Sequence, residues 1–317
     1  MFRKEVERYP LWAWIFTAVS APAARLAGRG PWLPVLLLAA GCCLLCWGLH
    51  RLAPDEPRFG KLYCLAQFLF LIPVAGEMIR MSQDCWPTGV SFPLVPATLA
   101  LLAAANAWNG AERASRVGGI LFWLLALLYS LVLLSGLKDI ESSWLAPQMS
   151  LPSGGLPLIL LLPAAALLLR RSGSRKAEQL GLGLIFLFTA AAALLTVGNL
   201  SPRVAAAAGD PFYIFSKSLR FLGVAERFEA LVSVALTMSY FALLSLLFSI
   251  AGNLAETIRP DWGKAGVLIC SVGGVGLLLA PPMPGGVLSA GALFLWAGLP
   301  LAYWGVLKKG EKKEKST

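Results

Sequence analysis

Ten apolar stretches, each close to bilayer-spanning length, occupy this chain almost from end to end and govern every other reading of it. They fall at about 9–27, 31–52, 61–82, 92–109, 117–137, 154–171, 180–200, 226–252, 264–281 and 285–307, with the charged residues gathered between them. Hydrophobic residues make up 57% of the chain and charged residues 14%, where a soluble domain carries roughly a quarter charged. Long continuous runs suit helices, which close their backbone hydrogen bonds internally, and not the short alternating segments of a membrane barrel. The expectation is an all-α polytopic membrane protein of about ten transmembrane helices, forming a single transmembrane domain over 1–317.

Lysine and arginine set the orientation. With the N-terminus inside, nineteen of the 27 basic residues fall in inside segments. The eight left outside are Arg25, Arg29, Arg80, Lys138, Arg203, Lys217, Arg220 and Arg227. Both termini are therefore expected to be cytoplasmic, in a protein integral to the cell membrane. The net charge of +10 follows from this topology, with 308–317 as a solvated basic cytoplasmic tail. The basic excess suits a bilayer with anionic headgroups, and nucleic acid is not expected as a partner because there is no soluble basic face. Ser20-Ala21-Pro22-Ala23-Ala24 has the small residues of a signal-peptidase site. Glu5 and Glu7 stand where such a signal is basic, however, so the first stretch is read as a retained helix.

Ten spans divide into a first half, 1–140, and a second, 141–307. One half begins inside and the other outside, as in inverted-repeat transporters, whose first helix in each half is interrupted near the midplane. Ser20-Ala21-Pro22 interrupts the first span. Pro152-Ser153-Gly154-Gly155 precedes the sixth, which contains Pro157 and Pro163. Proline removes a backbone donor and clashes with the preceding turn. The paired positions point to a midplane site, although ordinary proline kinks give the same pattern.

Ionisable residues inside spans usually have a task. Glu77, Arg80 and Asp84 share one side of the third span, as an ion-pair ladder or as a carboxylate facing a ligand amine or a cation. Glu226 and Arg227 open the eighth span as a further charged pair. Below them Ser233, Thr237 and Tyr240 recur on one face, either as interhelical glue or as the lining of a solute path. Glu112 and Arg116 stand four apart in the turn after the inner end of the fourth span and can pair. Cys42, Cys43 and Cys46 read as small apolar residues and not as a metal site, because His50 is the chain's single histidine. No phosphate loop, histidine cluster or Ser-His-Asp set is present, so neither enzymatic activity nor a cofactor is expected.

Three stretches resemble the B subunit of the spore germinant receptors, a branch of the amino acid–polyamine–organocation transporter superfamily. Asn106–Pro147 carries Gly110-Ala111-Glu112-Arg113-Ala114-Ser115-Arg116, similar to that family's G-x-E-x-x-x-R turn, and later Lys138-Asp139 and Leu145-Ala146-Pro147. Gly223–Leu231 carries Glu226-Arg227-Phe228-Glu229-Ala230-Leu231, similar to its entry into the eighth helix. Ser20-Ala21-Pro22 through Ala27-Gly28 resembles its broken first helix.

The resemblance implies a LeuT-like fold of ten helices in a 5+5 inverted repeat. It also implies a sensor of a small nutrient, often an amino acid, acting with A- and C-type partner subunits in the spore inner membrane. The family's ligand pocket maps here onto Ser20, Ala21, Pro22, Glu77, Gly154, Gly155, Thr237 and Tyr240. The sixth span, about 154–171 before Arg170-Arg171, is shorter than the family pattern implies. Two alternatives stay open: an amino acid transporter driven by H⁺ or Na⁺, and an assembly subunit that binds nothing.

Overall fold

A computed structural model describes residues 11–27, 31–52, 61–85, 94–146, 175–208, 210–219 and 228–302. Among the described residues the only regular structure is helical. The helices in chain order are α1 (Leu11–Ala27), α2 (Trp32–Leu52), α3 (Lys61–Gln83), α4 (Leu94–Trp108), α5 (Ala111–Gly136) and α6 (Arg175–Leu200). There follow the short α7 (Pro202–Ala207) and α8 (Pro211–Ser218), then α9 (Phe228–Ile258), α10 (Gly263–Gly276) and α11 (Gly285–Leu293). A π turn, Phe294–Gly298, continues α11. Nine of the ten apolar stretches thus coincide with helices, and the sixth, with Gly154 and Gly155, lies outside the described residues. Glu226 and Arg227 lie outside them as well.

Four helical segments are long and apolar enough to cross a membrane: Lys61–Gln83, Ala111–Asp139, Leu180–Leu200 and Ala230–Ile258. Five shorter apolar helices accompany them, α1 among these. The chain is therefore a membrane-embedded helical protein. Its helices differ sharply in what surrounds them. The spanning segment of α9 is 72% buried and that of α5 only 28%, so α9 is an internal strut. The Ile120, Trp123, Leu127 and Leu134 side of α5 is left to face lipid.

α1 is the most enclosed element. Every residue of it except Trp12 is buried, with α5, α6, α8 and α9 packed around it. α9 also holds α3, α4 and α10, and α2 rests on α6. Lipid is as apolar as leucine, so membrane helices gain their contacts by close packing at small residues. Gly118 of α5 receives the Trp14 ring of α1, Gly136 receives Phe215 of α8, and Gly266 of α10 lies against Ala255 of α9. In each case a Cβ on the glycine would overlap the neighbouring side chain.

Candidate functional site

α1 runs as one helix from Leu11 to Ala27 through Pro22, so the break expected in the first helix is not found; what the proline leaves is a gap in the hydrogen-bond ladder. Pro22 has no N–H, so the Ala18 carbonyl has no amide partner one turn on. The next pair back, Thr17 C=O and Ala21 N–H, is bridged by a hydroxyl from another helix. Ala21 N donates to Ser239 Oγ at 2.8 Å, and Ser239 Oγ donates to Thr17 O at 2.6 Å. Ser20 Oγ lies 2.9 Å from both Ser239 Oγ and Thr17 O, sharing its single proton between them. All four residues are almost completely buried. The Thr17 hydroxyl turns the other way, donating to Ala13 O at 2.8 Å and facing Gly118 O at 3.2 Å.

Around this splice lies a buried polar cluster. Tyr129 of α5 brings its hydroxyl within polar reach of Ser20 and Ser239, but among the described residues it makes no hydrogen bond of normal geometry. Its ring is fixed by Phe188 of α6 at 4.8 Å and Phe212 of α8 at 6.2 Å between centroids. One turn beyond Pro22, Arg25 is buried. Its Nη1 donates to Met81 O at 3.1 Å, its Nη2 pairs with the Asp84 carboxylate, and its Nε has no partner. Tyr240 lies beside the Arg25 guanidinium, and Asp210 is within its electrostatic reach. Asp210 caps α8, accepting from Tyr213 N at 3.1 Å. α8 buries Phe212 and Phe215 against α1, α6 and α9, so it covers the cluster at the same end as Arg25 and Asp84. Cys85, just past α3, is 1% exposed. Burial pushes its thiol well above the usual range, and the carboxylates of Asp210 and Asp84 add to the rise while Arg25 opposes it.

The structure thus brings together Ser20, Ala21, Pro22 and Tyr240 from the sequence-derived set. Thr237 is half-buried and bonds back to Ser233 O of its own helix at 2.7 Å. Glu77 lies 3.9 Å from Arg80 Nη1 and makes no hydrogen bond to the α1 cluster. Arg80 instead donates through Nη2 to Leu277 O and Ala280 O, both at 2.7 Å, at the end of α10. Asp84 reaches α1 and not the Glu77–Arg80 pair. Arg116 pairs with Glu112 at the start of α5.

Sequence reasoning passed over Arg25, Tyr129, Ser239 and Asp210. Arg25 was counted as a charge of the outer side, although Ala24-Arg25-Leu26-Ala27 sets it in an unbroken apolar run. Among the described residues no group of histidine, cysteine, aspartate or glutamate could hold a metal ion. The cluster gathers hydrogen-bond donors and acceptors and a charged pair in a buried setting. No protein-family model matches the chain, and no curated protein matches it either.

Proposed function

We propose that this chain is a membrane sensor of a small nutrient, an amino acid or a compound of similar chemistry. In this reading it is a B-type subunit of a spore germinant receptor in the spore inner membrane, with A- and C-type partner subunits. The proposal includes ten spans in two inverted halves and cytoplasmic termini. The observation that carries it is the buried Tyr129 hydroxyl, directed at Ser20 and Ser239 beside the proline turn of α1 without a hydrogen bond of normal geometry among the described residues. A buried polar group with no bond costs about 1–3 kcal/mol, a cost that a ligand's polar group would remove. The motif resemblance around Gly110–Arg116 and Glu226–Leu231 supports the particular family.

A solute carrier coupled to H⁺ or Na⁺ is the second reading, favoured by the proline and unpaired carbonyl within the first helix, where such carriers break theirs. Two measurements test the proposal. Detergent-purified protein is heated with amino acids, sugars and nucleosides, because a ligand of the folded state raises the melting temperature with its occupancy. One class is expected to raise it, and the rise is expected to vanish in Ala21→Leu; no rise with any class would overturn the binding reading. In liposomes under an imposed ion gradient, no accumulation of the same labelled compound is expected. Saturable, gradient-dependent uptake would replace the sensor with the carrier.

A further inference from the structure

We propose that Ser239 is the pin that fixes the C-terminal segment of α1, Ala21–Ala27, and with it Arg25, over the buried cluster. The segment is weakly joined to the rest of its own helix. Pro22 supplies no amide to the Ala18 carbonyl, and the Ala21 amide goes to Ser239. The joint therefore runs through a hydroxyl of α9, which accepts from Ala21 N, donates to Thr17 O and contacts Ser20 Oγ. Ser239 thus holds both sides of the gap at once.

Other hydroxyls of α9 behave differently. Thr237 and Ser249 bond back to carbonyls of their own helix, at 2.7 Å each, and Ser245 meets Asn106 and a carbonyl of α4. Among the described residues of α9, only Ser239 accepts a backbone amide of another helix. Ordinary hydroxyl glue ties two intact helices together, whereas this hydroxyl completes an incomplete hydrogen-bond ladder.

The far end of the segment is tied separately, by Arg25 to Met81 O and Asp84. Releasing the pin leaves the segment with its side-chain packing and the Arg25 tie, but without the hydroxyl that spans the gap at Pro22. Movement of the segment would carry Arg25 away from Asp84 and open the cover of Cys85, the next residue in the chain. The pin requires nothing to be bound, so it stands whether or not the site takes a nutrient.

The test uses ligand-free protein in detergent and two readouts. One is backbone hydrogen exchange of peptides from 11–27, compared with those from α3, α5 and α10. The other is alkylation of Cys85 by a soluble maleimide, read by mass mapping of the labelled peptide. Ser239→Ala is expected to speed both by about tenfold or more, the scale set by losing one or two buried hydrogen bonds. Ser239→Thr, which keeps the hydroxyl, is expected to restore the slow rates. Ser249→Ala, which removes a buried hydroxyl from the same helix, is expected to leave them unchanged. Unchanged rates in Ser239→Ala would overturn the proposal. So would equal acceleration in all helices, which would make Ser239 a general packing residue, and so would a failure of threonine to rescue.

Discussion

Arg25 and Asp84 join the C-terminal end of α1 to the end of α3 across 59 residues of chain. The pair is asymmetric, with the arginine side chain 8% exposed and the aspartate 51%. A buried cation left without its counter-ion is costly, whereas an apolar replacement of similar volume need not be. Asp84→Ala is therefore expected to lower the thermal midpoint more than Arg25→Met, with a loss of about 1–3 kcal/mol for the former. Unfolding of the two variants and of the double variant in detergent checks this. If Arg25→Met is the more damaging change, the guanidinium contributes through Met81 O and packing instead of through the pair.

Tyr129 separates stability from binding. Its hydroxyl makes no hydrogen bond of normal geometry among the described residues, so Tyr129→Phe removes none and keeps the contacts of its ring with Phe188 and Phe212. The empty variant is expected to melt within about 1 kcal/mol of the parent, or slightly above it. The thermal shift given by the active class of compound is expected to need about tenfold more ligand, one good hydrogen bond's worth. An unaltered dose response would place the ligand away from Tyr129.

Much of this arrangement was legible in the chain, and the part that was not has a physical reason. Apolar length located the helices, because bilayer thickness imposes it. Ser20-Ala21-Pro22 marked the gap in the hydrogen-bond ladder of α1, because proline's missing amide is a covalent fact, but not that the helix runs on through it. The partner that bridges the gap was not legible. The stripe of Ser233, Thr237 and Tyr240 follows helical periodicity, but Ser239 stands outside it, and only the crossing of α1 over α9 selects that residue. Arg25 shows the same limit. A cation near the end of a span reads as a topology signal, and nothing local reveals that α3 brings Asp84 beneath it. The pairing of Asp84 with α1, in place of a ladder with Glu77 and Arg80, is a tertiary choice that helical spacing cannot express.

Two adjacent glycines of α5 give a sharp comparison. A Cβ on Gly118 would enter the Trp14 ring of α1, while one on Gly119 would meet nothing within 4 Å. Gly118→Ala is expected to cost about 1–3 kcal/mol, because buried Trp14 has little room to move. The same change at Gly119 is expected to be neutral or to add up to about 1 kcal/mol through helix propensity. Melting of the two variants decides the matter. Equal effects would mean that α1 shifts freely against α5, contrary to the tight enclosure of α1.

The Glu77–Arg80 pair separates a structural from a ligand-binding part for the one carboxylate in the body of α3. Arg80 Nη2 makes two 2.7 Å bonds to carbonyls at the end of α10, where helix carbonyls lack intrahelical partners. Its 3.9 Å approach to Glu77 is too long for a hydrogen bond. Leu277 O also accepts from Ala280 N at 3.1 Å, so Arg80→Ala should cost about 1–3 kcal/mol chiefly through the lost bond to Ala280 O, while Glu77→Gln should cost under about 1 kcal/mol. Both are read from thermal midpoints without ligand. The Glu77→Gln protein is then titrated with the compound class that stabilises the parent. An unchanged shift would confine Glu77 to the neighbourhood of Arg80. Loss of the shift with stability intact would return Glu77 to the binding site and extend that site from the proline turn of α1 to the middle of α3.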